Sequence, residues 1–223
     1  MSFPLFREQA LITPQQPRLP VAPDQYDQRY QDQLNNILRL YFNQLQNFSQ
    51  LLASSTGGAL LQFPHGAFSS DQDQTTTANT ATLMTLNTTD FSNGGVTISS
   101  SKITTTTPGT YNLQFSAQFQ NTDNQIQDIS IWLRQNGTDI PGSTGFVSIP
   151  AHKSASAGDE AHEIIGWNYY IQMQANDYVE IWWSTTNATV TIQHYPASTG
   201  PVRPATQSVV ATLSFVSALY PSP

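Results

Sequence analysis

The sequence of 223 residues contains no cysteine and carries little charge. Without cysteine the chain forms neither a disulfide nor a thiolate-bound zinc or iron–sulfur site. Lysine, arginine, aspartate and glutamate together make up 10% of the residues, against roughly 25% in an ordinary globular domain. The polar surface must therefore come from Ser, Thr, Asn and Gln. Such a surface suits a protein that works inside an assembly or outside a cell.

Basic residues are especially scarce, with 8 Lys and Arg against 15 Asp and Glu and a formal net charge of −7. All of the acidic excess falls in residues 59–223, which hold 4 basic and 11 acidic residues. Nucleic acids and anionic membranes are bound through clustered cations, so the composition argues against both partners. No apolar run approaches the roughly 18 residues of a membrane-spanning helix, so we expect no membrane insertion. The first residues do not resemble a secretory signal.

Proline is concentrated at the start of the chain, at positions 4, 14, 17, 20 and 23. Each proline fixes its φ angle and removes a backbone hydrogen-bond donor, so no helix is expected across this segment. Residues 1–23 are predicted to be extended, with a conformation close to polyproline II. We interpret them as an N-terminal anchoring arm that contacts other proteins.

One amphipathic helix is predicted over residues 24–56, with Asp24 as its N-cap directly after the last proline of the arm. Apolar side chains recur in the heptad pattern of a coiled-coil seam. The seam residues are Leu34, Leu38, Tyr41, Leu45, Phe48 and Leu52. Two arrangements fit this pattern: a bundle formed with other chains, or a helix lying on the chain's own β domain.

From residue 59 the helical period disappears, and short alternating runs separated by turn residues take over. Ten strands are predicted, near residues 81–87, 95–99, 101–106, 109–120, 127–135, 145–150, 162–174, 177–184, 188–194 and 206–218. Because no helix separates them, the strands are expected to form an antiparallel sandwich. This domain is placed at residues 75–218, between a linker at 57–74 and a tail at 219–223.

The strands differ in how their apolar side chains are distributed. The strand at 109–120 has one apolar and one polar face, and its apolar face carries Tyr111, Leu113, Phe115, Ala117 and Phe119. Strands near 162–184 and 206–218 carry large apolar groups on both faces, although a sandwich core covers only one face of each sheet. The surplus predicts a homotrimer with these strands near its axis. The expected interface residues are Tyr170, Tyr178, Trp182, Val210 and Val216.

The densest group of ionisable side chains surrounds a loop of small residues. Its members are His152, Lys153, Asp159, Glu160, His162 and Glu163. Their order does not match the helical zinc motif with two histidines four residues apart. We interpret the group as an exposed polar loop, with a site for a hard cation such as Ca²⁺ as the alternative.

Other chemistry finds little support in the sequence. There is no Gly-x-Ser-x-Gly motif and no glycine-rich phosphate loop, and we expect no catalytic residue, metal or cofactor. A glycosidase carboxylate pair is the least favoured possibility, since only the separation of two carboxylates would test it. Five aromatic side chains are interpreted as core or interface groups, with stacking on a sugar as the alternative. They are Trp132, Trp167, Trp182, Tyr170 and Tyr195.

Three stretches of the β region carry a family resemblance: residues 109–115, 176–181 and 208–215. They are similar to the Gly-x-Tyr-x-Phe strand, the Gly-Asp-x-Val-x-Leu strand and the last apolar strand of C1q/TNF-like jelly rolls. Asn176 stands where that family usually has glycine. The resemblance covers residues 75–218 and implies a ten-strand jelly-roll sandwich that forms tight trimers.

A second resemblance extends over most of the chain beyond residue 18. It is carried by residues 19–27, 34–45, 63–68, 131–141 and 167–168. These segments resemble virion structural proteins of marine and freshwater tailed phages, cyanophages especially. The resemblance implies an accessory capsid or tail protein without catalytic activity.

Together these observations predict a non-enzymatic protein of a tailed-phage virion. Residues 1–53 are expected to anchor it to other virion proteins of the capsid or tail, with a trimeric jelly roll facing outward. A fibre or spike and a capsid decoration (cement) protein both fit. The alternative function is a carbohydrate-binding adhesin that recognises a glycan on the host surface.

Overall fold

The computed structural model describes residues 13–53, 63–152 and 160–219. These residues form one helix, α1 (Gln28–Ala53), and fifteen strands. The strands are β1 (His65–Ser70), β2 (Thr82–Leu83), β3 (Thr88–Asn93), β4 (Val96–Ser99), β5 (Lys102–Thr105), β6 (Gly109–Asn121), β7 (Gln127–Gln135), β8 (Thr138–Asp139), β9 (Gly145–Ile149), β10 (Ala161–Met173), β11 (Tyr178–Thr185), β12 (Val190–Ile192), β13 (Ser198–Thr199), β14 (Val202–Arg203) and β15 (Val209–Ser217). The predicted mainly β class with one helix is confirmed. The chain divides into two compact units, residues 1–62 and 63–223.

In the N-terminal unit, α1 begins after Asp27 rather than after Asp24. The Asp27 carboxylate accepts a hydrogen bond from the backbone N–H of Arg29 at 2.9 Å. The Asp27 carbonyl accepts the first helical hydrogen bond, from Gln31, at 3.1 Å. Because a cap must satisfy the free N–H groups of the first turn, Asp27 is the N-cap and the prediction of Asp24 was wrong. Residues 1–12 of the predicted arm and 54–56 of the predicted helix lie outside the described residues.

The β unit contains two antiparallel sheets that share one core. The first sheet runs β10–β6–β15–β1–β3, with β12 paired to the end of β6. The second sheet runs β4–β5–β11–β7–β8, with β2 paired to β11 and β9 paired to β7. Because β1 pairs with β15 and β6 with β10, strands that are distant in sequence lie side by side, as in a jelly roll.

Strand β6 supplies the centre of the core. Its five apolar residues at alternate positions, from Tyr111 to Phe119, are all buried, as the sequence predicted. They belong to one cluster with Ile131 and Trp183 of the second sheet, and the rings of Phe119 and Trp183 meet edge to face at 5.6 Å. Burial of one such side chain contributes about 1.5–3 kcal/mol. The two sheets are therefore held together mainly by apolar contact.

The domain begins earlier than the sequence indicated. Strand β1, at His65–Ser70, lies inside the predicted linker at 57–74, and it pairs with β15 on one side and β3 on the other. All but its first residue are buried, and a Cβ at Gly66 would come within 2.7 Å of the Phe68 ring. A central strand under this crowding takes small residues and loses the alternation by which strands are recognised. Residues 57–62, at the start of the predicted linker, lie outside the described residues.

All ten predicted segments contain a strand, although the segment at 81–87 holds only the two residues of β2. The sequence missed β1, β3, β8, β13 and β14. Asn136 and Gly137 form the two-residue turn between β7 and β8 and have φ angles of 50° and 80°. Asn176 has a φ of 70°. Asparagine is among the few residues that adopt this left-handed conformation, so it can occupy a position that usually takes glycine.

Candidate functional site

The five residues predicted to form a trimer interface lie on the outward faces of two different sheets. Tyr170 on β10 and Val210 on β15 belong to the outward face of the first sheet, and Val216 lies at the irregular end of β15. Tyr178 and Trp182 on β11 belong to the outward face of the second sheet. The two sheets of a sandwich turn their outward faces in opposite directions. One flat interface therefore cannot contain all five residues.

The outward face of the first sheet exposes several large apolar groups. Ile164 is 70% exposed, Tyr170 59% and Val216 50%, and Val210 is half-buried. In register, Ile164 lies opposite Gln118, and Val210 lies opposite Ser116. Uncharged polar side chains therefore separate the apolar ones across this face.

A shallow depression of about 580 Å³ lies on the same face. Gly166 forms part of its lining, between Ile164 and Asn168 on β10, and Val210 and Thr212 line it from β15. A Cβ at Gly166 would collide with the carbonyl oxygen of Phe115. The close approach of β6 and β10 thus requires glycine here, and the missing side chain opens the depression. None of the side chains that line it is charged.

The outward face of the second sheet has a different chemistry. Trp132 on β7 and Trp182 on β11 lie directly opposite each other. The guanidinium carbon of Arg134 lies 3.9 Å from the centre of the Trp182 ring, which is cation–π geometry. Asp139 on β8 accepts a hydrogen bond from Arg134 Nε and another from Trp132 Nε1, each at 2.8 Å. These two bonds, with that of Arg134 the stronger influence, hold the pKa of the Asp139 carboxyl below its usual value.

Glu180 also belongs to this face and is only 5% exposed. Its carboxylate accepts a hydrogen bond from Trp182 Nε1 at 3.4 Å. At the end of β11, the ammonium group of Lys102 lies 4.4 Å from the centre of the Tyr178 ring. Lys102 and Arg134, two of the four basic residues beyond residue 58, thus both lie over aromatic rings of one face.

Sequence reasoning did not single out Arg134, Asp139 or Glu180. One signal was present: the Asn136-Gly137 pair is typical of a two-residue hairpin turn. Such a turn sets the register that brings Arg134 opposite Asp139. The contact with Trp182 depends on the pairing of β7 with β11, whose paired residues are 44 or more positions apart, and no local pattern reveals it.

The ionisable group at residues 152–163 is only partly described, since Lys153 and Asp159 lie outside the described residues. The Tyr195 hydroxyl lies 3.3 Å from His162 Nδ1, and the Arg203 guanidinium lies over the Tyr195 ring at 5.3 Å. Burial, with smaller effects from the charges of Glu160 and Asp73, raises the pKa of Tyr195. Within residues 13–53, 63–152 and 160–219, no three His, Asp or Glu side chains are placed to hold a metal ion.

The aromatic residues weighed as sugar-stacking groups have separate environments. Trp167 packs edge to face on Phe115 at 4.7 Å and belongs with the partly buried residues around the core. Tyr195 contacts His162, and Tyr170 is exposed on the first sheet. Only Trp132 and Trp182 lie side by side, on the second sheet.

The apolar seam of α1 is continuous in the structure. All six seam residues, from Leu34 to Leu52, are half-buried, and no residue of the helix is buried. The arm lies along part of this helix: a groove of about 410 Å³ is lined by Gln16, Pro17, Leu19, Leu38, Tyr41 and Phe42. Two seam residues, Leu38 and Tyr41, thus also face the arm. In the described part of the chain, no helix has the length and hydropathy needed to cross a membrane.

Comparison with known proteins finds likeness in structure. No family model matches the chain, and no curated protein matches it. Among solved structures, the chain is similar to the globular domain of zebrafish complement 1qA protein, with 13% sequence identity and a TM-score of 0.40. The match covers 71% of this chain and 100% of that chain. The order and register of the two sheets, rather than this likeness, define the fold of the β unit.

Proposed function

We propose that the chain is a non-enzymatic structural protein of a tailed-phage virion, anchored by its arm and α1. The observation that carries this proposal is the seam of α1, in which six apolar residues in heptad register are only half-buried. An apolar stripe of this kind is typical of a helix that associates with another chain. The resemblance of residues 19–27 and 34–45 to phage virion proteins supports the same assignment.

The β unit is proposed to be a C1q/TNF-like homotrimer that uses the outward face of the first sheet. Support comes from the exposed Ile164, Tyr170 and Val216 and from the uncharged lining of the depression beside them. An uncharged apolar and amide-rich face can be buried without leaving a charge unpaired. The second sheet turns Arg134 and Asp139 outward instead, so it is the less favourable face for close self-association.

Two matched tyrosine variants test the choice of face. Sedimentation equilibrium should give three times the chain mass of 24.6 kDa for the wild type and for Tyr178→Glu. Tyr170→Glu should give a monomer, because it puts an unpaired charge into the proposed interface. A wild-type monomer at micromolar concentration contradicts the trimer. A trimeric Tyr170→Glu together with a dissociated Tyr178→Glu would move the interface to the second sheet.

The anchoring role is tested on particles of the phage that encodes the chain. We expect immunogold labelling of washed particles to mark the head or the tail, which also decides between a decoration protein and a fibre or spike. Full-length Leu38→Glu with Leu45→Glu should remain trimeric but be missing from particles. The control, Asn36→Glu with Asn43→Glu, changes exposed positions outside the seam and should be incorporated normally. Washed particles that lack the wild-type chain would contradict the virion assignment.

A further inference from the structure

The outward face of the second sheet contains a compact group of side chains that the assembly role does not use. We name it the tryptophan–arginine cluster; its members are Trp132, Arg134, Asp139 and Trp182. Each member contacts another: Arg134 lies over the Trp182 ring at 3.9 Å, and Asp139 bonds both Arg134 and Trp132 at 2.8 Å. The cluster is therefore a single ordered group of two indole rings, one guanidinium and one carboxylate.

Part of the hydrogen-bonding capacity of this cluster is turned towards solvent. Both hydrogen bonds to Asp139 end on Oδ1, and its side chain is 59% exposed. The second carboxylate oxygen thus keeps its acceptor sites. Arg134 uses Nε for Asp139, so its two terminal Nη groups keep donors, and 22% of its side chain is exposed. The cluster therefore presents one acceptor, Asp139 Oδ2, and the Nη donors of Arg134 beside its two indole rings.

We propose that the tryptophan–arginine cluster binds a neutral pyranose sugar through two neighbouring hydroxyl groups. One hydroxyl donates to Asp139 Oδ2, and the oxygen of the next accepts from an Nη group of Arg134. The C–H groups of the sugar ring carry partial positive charge and lie against the electron-rich face of Trp132. This inference concerns the opposite sheet from the proposed trimer interface, and it does not depend on the trimer.

Charge favours a neutral sugar over an acidic one. Within the cluster, the charges of Arg134 and Asp139 cancel in a contact of 2.8 Å. Residues 59–223 carry 11 acidic and 4 basic residues, so the surrounding field repels a carboxylated or sulfated glycan.

The geometry also favours a small polar ligand over a second protein. A stable protein interface buries about 800 Å² on each partner. The cluster has four residues, and three of them, Trp132, Arg134 and Trp182, are already half-buried. Their side chains are fixed before any ligand arrives, because Arg134 is held between the Trp182 ring and Asp139. Binding to such a group costs little side-chain entropy.

The test uses full-length protein labelled with 5-fluorotryptophan. The chain has four tryptophans, so ¹⁹F NMR gives four signals, which single Trp→Phe variants assign. The probes are the methyl glycosides of glucose, galactose and mannose, added separately through the millimolar range. Methyl glucuronoside is the acidic comparison, and glycerol is the acyclic diol control. We expect a saturable shift of the Trp132 signal with at least one neutral glycoside and none with glycerol.

Two variants on strands of the same face identify the groups involved. Asp139→Asn keeps an oxygen that accepts from Trp132 but loses the charged acceptor, and it should weaken binding about tenfold or more. Asp128 is exposed at the far end of β7, so Asp128→Asn should keep the affinity for the glycoside within about twofold of the wild-type value. Four resolved signals in each variant show that the fold is intact.

Five results would overturn the proposal. An equal shift of the Trp132 signal with glycerol overturns it, because a solvent effect then explains the shift. Unchanged binding by Asp139→Asn, or no shift with any of the three neutral glycosides, removes the cluster as a sugar site. A Trp132 signal that moves with protein concentration in the absence of sugar assigns the face to a second copy of the chain. Tighter binding of the glucuronoside overturns the neutral ligand class.

Discussion

The two units of the chain use apolar side chains in opposite ways. The β unit buries its large apolar residues between two sheets, with Phe68, Leu133 and Trp183 fully enclosed. Helix α1 carries apolar residues at heptad spacing but buries none of them completely. A helix of 26 residues draws most of its stability in a protein from packing of its apolar face. The comparison predicts that the β unit is stable on its own, and that the seam of α1 needs further cover from another chain or from the chain's own β domain.

The largest effect is expected when an aromatic ring is removed from the core of the β unit. Trp183→Ala deletes a fully buried side chain that packs on Phe119, so it should leave a cavity and lower the free energy of unfolding by about 3–5 kcal/mol. Urea denaturation followed by circular dichroism measures this loss. Trp182→Ala, at the neighbouring half-buried position, is the control and should cost much less. Equal costs at the two positions would contradict the assigned core.

A change in the seam tests the other half of the contrast. Leu38→Glu with Leu45→Glu should disorder α1 and remove most of the helical signal in circular dichroism, because two charges interrupt the apolar stripe. The melting temperature of the β unit should stay nearly unchanged. If the helix instead lies on its own sandwich, the same pair lowers that melting temperature by several degrees, equivalent to about 1–3 kcal/mol. That result would exclude a seam formed between chains.

A smaller effect is expected from one buried hydroxyl group in the β unit. The Tyr111 hydroxyl donates to the carbonyl of Thr107 at 2.7 Å and lies 2.6 Å from Thr105 Oγ1. Burial raises the pKa of Tyr111. Tyr111→Phe leaves the ring packing but removes both hydrogen bonds, so it should cost about 1–2 kcal/mol in urea denaturation. Tyr170→Phe, at an exposed position, should cost almost nothing. If Tyr111→Phe leaves the free energy of unfolding unchanged, these bonds do not stabilise this end of the sheet.

The smallest effect is a dependence of stability on pH at the surface of the second sheet. The pKa of Asp139 in the folded state is held below its unfolded value of about 3.9. Its contact with Arg134 therefore stabilises the fold above that pH, and the contribution is lost as the pH falls through the folded pKa. The melting temperature of the wild type should slightly exceed that of Asp139→Asn at neutral pH, and the difference should shrink in acid. A difference that grows in acid would contradict the assigned contact.

Local patterns predicted much of the architecture. The alternation in β6 identified its buried face, and the heptad spacing identified the seam of α1. The same patterns missed β1, because its mostly small residues are buried on both faces and its sequence therefore shows no alternation. Asp27 was missed as the N-cap because several residues before a helix can have capping side chains, and only backbone geometry selects one.

The sequence by itself determined which side of each strand is apolar and where the chain turns. Both properties depend on neighbouring residues: alternation on the pleat of a single strand, and the β7–β8 turn on the left-handed φ angles of Asn136 and Gly137. Only the tertiary structure decided to which sheet each strand belongs. That choice depends on pairing between distant segments, which placed Tyr170 and Trp182 on different sheets and Trp132 beside Trp182. The separation of an apolar first-sheet face from the tryptophan–arginine cluster is therefore a product of long-range pairing.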